Sequence, residues 1–310
     1  MSVSSPARFD LDVHPLCLGG NVFGWTAGRD ASFAVLDAYV AAGGNFVDTA
    51  DVYMLEGGES ETILGAWLAS RGNRDDVVVA TKVAKKKDRP GLGRKNIELA
   101  IDESLQRLQT DYVDLYWCHH DDQDTPLVET FETLNDLVEA GKVRRIGVSN
   151  YGPERLREAV QTCDDHGWAP IVALQPDYSL VEREFETTLQ PVAAELGLGV
   201  TPYFSLASGF LTCKYRPEDA EGSDDSPRAG GARKYLERQN AAGVLSTLDQ
   251  VAAAHEVPVA AVALAWLRQQ DTVVAPIASA RTVEQLEGLL PMATLQLTDD
   301  ELASLRDASA

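Results

Sequence analysis

The sequence predicts an α/β protein folded as a closed (β/α)8 TIM barrel, with residues 1–310 in a single domain. Eight short apolar runs alternate with segments of helical periodicity, which is the pattern of such a barrel. The runs are continuously apolar, as strands buried on both faces require. A doubly wound open sheet is the alternative, but it usually places a glycine-rich turn of fixed spacing after its first strand. Here the first run leads into Gly19-Gly20-Asn21-Val22-Phe23-Gly24, which lacks that spacing.

The elements follow in order from these patterns. Strands are predicted over residues 16–19, 45–48, 77–81, 112–118, 145–148, 171–175, 199–203 and 273–277. Helices are predicted over residues 32–42, 59–69, 94–108, 126–141, from 153 onward, 184–196, 242–255, 259–269, 283–290 and from 299 onward.

Local signals support several of these boundaries. The first helix runs into Gly43-Gly44, and glycine just past the last turn is a common helix stop. Pro126 and Pro153 stand at the favoured first helical position. Thr298 is expected to cap the last helix, which belongs to a C-terminal helical extension.

One stretch after the seventh strand interrupts the alternation. Residues 215–233 are rich in Pro, Gly, Asp, Ser and Arg and carry no periodic apolar residues. A loop that follows a barrel strand lies at the C-terminal face, where barrels carry their active sites. A loop of this length is either a lid or a tolerated insertion, and we interpret it as lid-like.

Composition bears on the partners and the location of the protein. The formal net charge of −21 disfavours nucleic acids and anionic membranes, since both require a basic surface. No apolar run approaches the roughly 20 residues that span a bilayer, and residues 1–12 do not resemble a signal peptide. The four cysteines lie far apart in sequence, which indicates reduced thiols. We therefore expect a cytoplasmic protein with no nucleic-acid or membrane partner, and the sequence leaves its oligomeric state open.

Four polar residues follow predicted strands and are expected to meet at the C-terminal face of the barrel. Asp48 ends the second strand, Lys82 the third, and His119 follows the fourth. Tyr53 lies in the loop after the second strand. Charges at the ends of buried runs are costly unless they are paired, so Asp48 and Lys82 are predicted to pair with each other. Taken alone, such a pair is more often structural, and only its combination with Tyr53 and His119 favours a functional site.

This combination suits the protonation of a carbonyl oxygen while hydride arrives from a nicotinamide cofactor. A phenol ordinarily titrates near 10, and the ammonium of Lys82 is expected to lower the pKa of Tyr53. Asp48 would hold Lys82 in place, and His119 would orient the carbonyl oxygen. The sequence thus predicts reduction of an aldehyde, ketone or sugar-like carbonyl, with these four residues as the catalytic group.

A metal centre at His119-His120 and Asp121-Asp122 is the alternative chemistry. Adjacent strand residues point to opposite faces, whereas a barrel metallohydrolase uses two histidines separated by one residue. No other histidine follows a predicted strand. We therefore predict no metal site.

Over nearly its whole length the chain resembles the aldo-keto reductase family. The Arg-Ile-Gly-Val-Ser-Asn and Gly-Phe-Leu-Thr pieces are most similar to the bacterial branch that also resembles potassium-channel β-subunits. The resemblance rests on seven motifs in the order of the family, namely Phe46-Val47-Asp48-Thr49-Ala50 with Tyr53, Ala80-Thr81-Lys82, Asp114-Leu115-Tyr116-Trp117-Cys118-His119, Arg144-Arg145-Ile146-Gly147-Val148-Ser149-Asn150-Tyr151, Gln175-Pro176-Asp177-Tyr178, Ala207-Ser208-Gly209-Phe210-Leu211-Thr212, and Ala278-Ser279-Ala280-Arg281 with Gln285-Leu286.

The resemblance implies a binding site for NADP. An aromatic ring suits a nicotinamide face, amides suit its carboxamide, and a guanidinium suits a 2′-phosphate. The implied contacts are Ser149, Asn150 and Gln175 at the carboxamide, Tyr203 on the ring, Leu206, Ala207, Ser208 and Lys214 around the pyrophosphate, and Ser279, Arg281 and Gln285 at the adenosine end, with Gly20, Asn21, Asp48 and Phe204 completing the site.

Three departures from the family pattern accompany this resemblance. The usual Tyr-Ser-Pro-Leu reads Tyr203-Phe204-Ser205-Leu206, so the pyrophosphate loop is expected to close differently. Cys213 replaces a glycine before the lysine, and Leu289 replaces an asparagine, so fewer adenine contacts are expected. Arg281 is the one basic residue in the 2′-phosphate stretch, which weakens the case for NADPH over NADH without reversing it.

Two questions stay open in the sequence. A cofactor-loaded regulatory protein with little turnover is the alternative to an enzyme, although such a protein would not need all four catalytic positions. The small-molecule carbonyl substrate is unnamed, because specificity lies in loops. Phe23, Trp25, Met54 and His120 flank the predicted mouth and are candidate substrate contacts, with ordinary loop packing as the alternative.

Overall fold

The computed structural model describes residues 6–54, 57–216 and 229–310. Eight parallel strands form one sheet in the order β7-β6-β5-β4-β3-β2-β1-β8. The strands are β1 (Cys17–Gly19), β2 (Phe46–Asp48), β3 (Val78–Val83), β4 (Val113–Cys118), β5 (Val143–Ser149), β6 (Ile171–Gln175), β7 (Gly199–Val200) and β8 (Ile277–Ala278).

Helices connect each strand to the next, as parallel pairing requires, and two more helices follow β8. They are α1 (Arg29–Ala41), α2 (Glu59–Arg71), α3 (Arg94–Leu108), α4 (Leu127–Glu139), α5 (Pro153–His166), α6 (Glu184–Thr188), α7 (Gln190–Leu196), α8 (Ala229–Leu236), α9 (Ala241–His255), α10 (Val259–Arg268), α11 (Val283–Glu287) and α12 (Asp299–Ala308). Short 3₁₀ turns cover Gly20–Val22, Arg74–Asp76, Ala207–Thr212 and Leu290–Ala293.

The two edges of the sheet meet between β7 and the segment before β8. Val200 N–H donates to Thr272 O, and Val274 N–H donates to Val200 O, each at 2.9 Å. Ile277 N–H donates to the carbonyl oxygen of Pro202 at 2.9 Å. Parallel strands joined edge to edge in this way curl into a barrel.

Alternation along the strands places the polar residues at one end of the barrel interior. Phe46, Ala80, Leu115 and Trp117 belong to a small buried apolar cluster that is separate from the larger core. Successive strand residues point to opposite faces, so every second residue shares a face. Asp48, Lys82 and His119 each lie two residues beyond a member of this cluster. The interior is therefore apolar until the C-terminal strand ends, where charged and polar groups replace it.

Several boundaries differ from those that the sequence predicts. The seventh and eighth strands are shorter, because Pro202 and Pro276 lack the N–H that would continue a ladder. The helix predicted over 184–196 divides into α6 and α7 at Leu189. Residues 229–233, predicted as irregular, begin helix α8. Residues 217–228, the centre of the predicted lid-like loop, lie outside the described residues.

After β8 the chain continues through α11, a 3₁₀ turn and α12. The predicted cap of the last helix is confirmed, since the Thr298 side chain accepts from Glu301 N–H while Glu301 accepts from Thr298 N–H. Within the described residues no single helix is long and apolar enough to cross a membrane, although α9 and α10 pass that test together as a pair bent by 95°.

Candidate active site

Three neighbouring strands bring the predicted catalytic residues together. Asp48 pairs in register with Ala80 on β3, and Lys82 follows two residues later on the same face. Lys82 pairs in register with Trp117 on β4, and His119 N–H donates to Val83 O at 2.9 Å just after β4 ends. The four predicted residues therefore lie within one strand-end cluster.

Lys82 is the centre of this cluster and has no exposed surface. Its ammonium donates to the carboxylate of Asp48, to the carbonyl oxygen of Thr49 at 2.7 Å and to Tyr53 Oη at 3.2 Å. An ammonium has three donors and no acceptor, so these bonds use its full capacity. Tyr53 Oη accepts in the last of them, and its own hydrogen is left to donate elsewhere.

Lys82 lowers the pKa of Tyr53, as the sequence predicts, but the net pKa is nevertheless raised. Burial raises the pKa of Tyr53, and the charge of Lys82 opposes that rise only in part, while Asp48 adds to it. Burial would lower the pKa of Lys82, but Asp48 and Tyr53 outweigh it and hold the pKa above its ordinary value. The site therefore contains a protonated phenol beside a charged ammonium.

His119 faces Tyr53 as a neutral imidazole. Its ring meets that of Tyr53 edge-on, with 6.2 Å between centroids. Burial, followed by the positive charges of Lys82 and Lys85, lowers the pKa of His119 to about 2. Its buried Nδ1 has no hydrogen-bond partner among the described residues. A neutral ring of this kind can donate from one nitrogen and accept at the other.

A chain of amide and hydroxyl groups extends from this cluster along the C-terminal ends of β5 and β6. Gln175 Nε2 donates to Asp48 Oδ1 at 3.0 Å, and Ser149 Oγ donates to Gln175 O at 2.8 Å. Asn150 Nδ2 donates to His119 O and to Ser149 Oγ, each at 2.9 Å. Tyr203 Oη donates to Asn150 Oδ1 at 2.7 Å. The residues that the resemblance assigns to the nicotinamide are thus contiguous with the catalytic group.

A cleft of about 830 Å³ opens over the cluster, a volume within the range of cofactor sites. The predicted residues that line it are Asn21, Trp25, Asp48, Tyr53, His119, Ser149, Asn150, Gln175, Tyr203, Phe204, Leu206, Ser208, Lys214, Ser279, Arg281 and Gln285. The predicted residues that do not line it are Gly20, Phe23, Met54, Lys82, His120 and Ala207.

Packing explains most of these exclusions. Lys82 and Ala207 are fully buried behind the wall. Gly20 is also buried, and a Cβ there would come within 2.9 Å of Ser60 Oγ. Phe23 has no exposed surface and belongs to the main core, which contradicts its prediction as a substrate contact. His120 is half-buried and does not line the cleft, and its Nδ1 lies 2.6 Å from Asp121 O.

The loop after β7 reaches the cleft with strained backbone geometry. Phe204, Ala207 and Ser208 have φ angles of 53°, 47° and 57°, a region that L-residues seldom adopt. The side chain of Phe204 is 55% exposed. Turns of this kind can present backbone N–H groups to an anion. Two N–H groups of the loop already donate within it, those of Ala207 to Phe204 O at 2.7 Å and of Gly209 to Leu206 O at 2.8 Å, and the pyrophosphate role of the loop stays a prediction.

At the predicted adenosine end the side chains make contacts with one another. Ser279 Oγ donates to Asn21 Oδ1 at 2.7 Å. Gln285 Oε1 accepts from the backbone N–H of Arg281 at 2.9 Å. Thr282 caps α11 by accepting from Gln285 N–H. Arg281 thus stands at the N-terminal end of a short helix, beside the cleft.

Sequence reasoning missed other residues of the cleft. Among them are Lys85, Thr26, Ser205, Gly209, Thr212, Tyr215, Pro258, Val259, Ala260 and Glu284. The residues at 258–260 open α10 and carry no chemical signature that would reveal them. Lys85 stands in a run of three lysines, and the run alone does not show which of them faces the cleft.

The fold and the site define a barrel of parallel strands with a Tyr, Lys, Asp and His group at its C-terminal face. A model of the aldo/keto reductase family matches residues 15–310. Norsolorinic acid reductase B of Aspergillus parasiticus is 37% identical, covering 98% of this chain and 82% of the relative. The uncharacterized oxidoreductase YrpG of Bacillus subtilis is 34% identical, covering 97% and 93%. Protein tas of Escherichia coli is 34% identical, covering 95% and 94%. The chain belongs to the aldo/keto reductase family, as its motifs predict.

Proposed function

We propose that this protein reduces the carbonyl group of a small aldehyde, ketone or sugar-like molecule to an alcohol, with NADPH as the preferred cofactor. The observation that carries the proposal is the bonding of Lys82, whose three donors fix Tyr53 Oη as an acceptor beside the cleft. Relatives named as reductases support the same class of reaction.

Each of the four catalytic residues has a distinct role. Tyr53 donates its free hydrogen to the carbonyl oxygen, and Lys82 stabilises the phenolate that remains. Asp48 holds Lys82 charged and in position. His119, neutral and next to Tyr53, donates a hydrogen bond that orients the carbonyl oxygen. The bound nicotinamide supplies the hydride.

The raised pKa of Tyr53 agrees with this direction of reaction. Reduction needs a phenol that is protonated at the start, and burial keeps it so. The nearby ammonium becomes effective as charge develops on the oxygen, when the proton leaves. The pair therefore favours the transition state more than the resting state, which is the condition for catalysis.

The residues of the cleft fit a nicotinamide dinucleotide. Ser149, Asn150 and Gln175 offer amide and hydroxyl groups near the catalytic group, and Tyr203 offers an aromatic ring. The strained loop at 204–208 suits the pyrophosphate, and Arg281 suits a 2′-phosphate. Asn150 Nδ2 uses both of its hydrogens on His119 O and Ser149 Oγ, whereas Asn150 Oδ1 accepts only from Tyr203. A carboxamide N–H can therefore donate to Oδ1 without breaking these bonds.

Nucleotide titration followed by protein fluorescence tests the cofactor. Trp25 lines the cleft and is 46% exposed, so a bound nicotinamide should quench its emission. NADPH should bind wild type more tightly than NADH, and Arg281→Ala should lose several-fold of its affinity for NADPH only. Arg157→Ala, which removes an exposed arginine paired with Glu195, is the control and should bind as wild type does.

Steady-state kinetics on a panel of aldehydes and ketones tests the reaction. Tyr53→Phe removes the proton donor and should lower kcat by about 10²–10⁴-fold without changing NADPH affinity. Tyr112→Phe, at a tyrosine outside the cleft that donates to Asp75, should leave kcat unchanged. Tight NADPH binding with no turnover on the panel would instead favour the regulatory alternative, and binding of neither nucleotide would refute both.

A further inference from the structure

We propose that Lys85 binds a negatively charged group of the substrate, so that the enzyme selects carbonyl compounds that carry a carboxylate or a comparable anion. The inference rests on the proposed function and specifies the substrate class of the same site. It is carried by the position of Lys85 in the cleft, by its lack of a hydrogen-bond or ion-pair partner among the described residues, and by the charges around it.

The backbone holds Lys85 beside the catalytic group. Lys85 is the second residue after β3, and it lines the same cleft as Tyr53 and His119. Val83 O accepts from His119 N–H, and Ala84 O accepts from Gly91 N–H, each at 2.9 Å. Backbone hydrogen bonds therefore hold both of the residues that precede Lys85.

Strain at the preceding residue supports a role for this placement. Ala84 has a φ angle of 114°, a conformation that costs a residue with a Cβ about 1–3 kcal/mol. Such strain persists where the surroundings impose it, and it clusters at ligand sites. Here it directs the chain out of β3 so that Lys85, and not its neighbours, faces the cleft.

The two lysines that follow make different contacts. Lys86 Nζ lies 3.2 Å from Glu103 Oε2, outside the cleft. Lys87 is exposed and does not line the cleft. Lys85 makes no hydrogen bond or ion pair with any residue that the structure describes. Of the three, Lys85 is the cation available to a ligand beside Tyr53.

The charge balance around Lys85 favours an anion. Asp48 is already neutralised by Lys82, so it offers no partner to Lys85. The charge of Lys82, after burial, lowers the pKa of Lys85, and the charge of Lys85 contributes to the low pKa of His119. Burial is the largest cause of both pKa shifts, and the contribution of the lysine charges to them is like-charge repulsion within the site. A bound anion would relieve it, which adds a favourable term to substrate binding.

A solvated surface lysine is the alternative, and the two roles differ in substrate preference. The probes are 3- and 4-carboxybenzaldehyde and their methyl esters, which are neutral and close in shape. Wild type should show a higher kcat/KM for the acids than for the esters. Lys85→Met should lower this ratio about tenfold, through KM and on the acids alone, since an interaction made equally in ground and transition states acts on KM.

Four further measurements complete the test. Lys85→Glu should reduce the acids still less well, and Lys87→Met should leave the ratio unchanged. Added salt should weaken the preference of wild type, because a partly exposed ion pair is screened. NADPH titration should give the same affinity for Lys85→Met as for wild type, which shows that the site is intact.

The role of Lys85 would be refuted if Lys85→Met kept the wild-type ratio of kcat/KM for acids over esters, or if its kcat/KM fell equally on both. Either result would leave the proposed carbonyl reduction unaffected. If wild type reduces neither acids nor esters, nor any carbonyl of the wider panel, the proposed function fails and the inference fails with it. These two failures are distinguished by the esters, whose reduction does not depend on Lys85.

Discussion

Removal of the Lys82 ammonium is the sharpest test of the buried ion pair. In Lys82→Met the carboxylate of Asp48, only 2% exposed, would keep a single donor, Gln175 Nε2 at 3.0 Å. Breaking one side of a buried pair costs about 3–5 kcal/mol, because the other charge is left uncompensated. Folded proteins are stable by only about 5–15 kcal/mol, so the loss should be a large shift in urea midpoint.

The dependence of this loss on pH identifies its cause. Without Lys82, the buried carboxylate would lack its countercharge, and burial would favour its neutral, protonated form over the charged one. The folded state would then bind a proton more tightly, so the destabilisation should be smaller at pH 5 than at pH 8. Asp48→Asn combined with Lys82→Met removes both charges and should recover about 2–3 kcal/mol at pH 8.

Urea unfolding at both pH values, followed by tryptophan fluorescence, measures these differences. Lys142→Met is the control, because Lys142 pairs with Asp102 at 2.6 Å on the surface. Exposed pairs contribute at most about 1 kcal/mol. A loss in Lys82→Met no larger than in Lys142→Met, or one that is equal at the two pH values, would refute the reasoning.

Two further predictions concern the packing behind the site. Asp51 is buried, and burial followed by the charge of Glu61 raises its pKa to about 7. The folded state therefore holds this proton more tightly than the unfolded chain, and the resulting stability, complete below about pH 4, is lost as the pH rises through 7. Wild type should lose free energy of unfolding between pH 5 and pH 8, and Asp51→Asn should make this loss smaller by roughly 2–3 kcal/mol, as measured by urea unfolding. The exposed control Asp88→Asn should show the same loss as wild type. A Cβ on Gly65 would lie 2.2 Å from a backbone oxygen of α3, so Gly65→Ala should lower the urea midpoint of unfolding strongly. Gly243 in α9 is the control: no atom outside its own helix lies within 4 Å of an added Cβ there, so Gly243→Ala should raise the free energy of unfolding by about 0.5–1 kcal/mol.

The sequence predicts the barrel and the catalytic group for a physical reason. Buried parallel strands are continuous apolar runs, and a charge at the end of such a run stands out against them. Asp48 follows Val47 directly, and Lys82 comes one residue after the apolar run Val77–Ala80. The topology of parallel strands requires the ends of these strands to meet at one edge. The pairing of Lys82 with Asp48 is then enforced by the cost of isolated buried charge.

Other features of the site depend on competing effects that only the folded chain reveals. The direction of the pKa shift of Tyr53 is set by burial against the charge of Lys82, and burial is a tertiary property. Phe23 and Trp25 are both aromatic residues of one loop, yet the first is fully buried and the second is 46% exposed. Similarly, only the folded chain shows that Lys85 faces the cleft while Lys86 turns to Glu103.

Strained residues around the cleft link stability to function. Positive φ angles occur at Ala84, Asn150, Phe204, Ala207 and Ser208, none of which is glycine, so the sequence carries no sign of them. Each costs about 1–3 kcal/mol and is tolerated because the packed core over-determines the loop. Ala84 precedes Lys85, Asn150 donates to His119 O, and the other three lie in the loop after β7. The strain is thus concentrated where backbone groups must point into the cleft, and the rigid barrel below supplies the stability that offsets it.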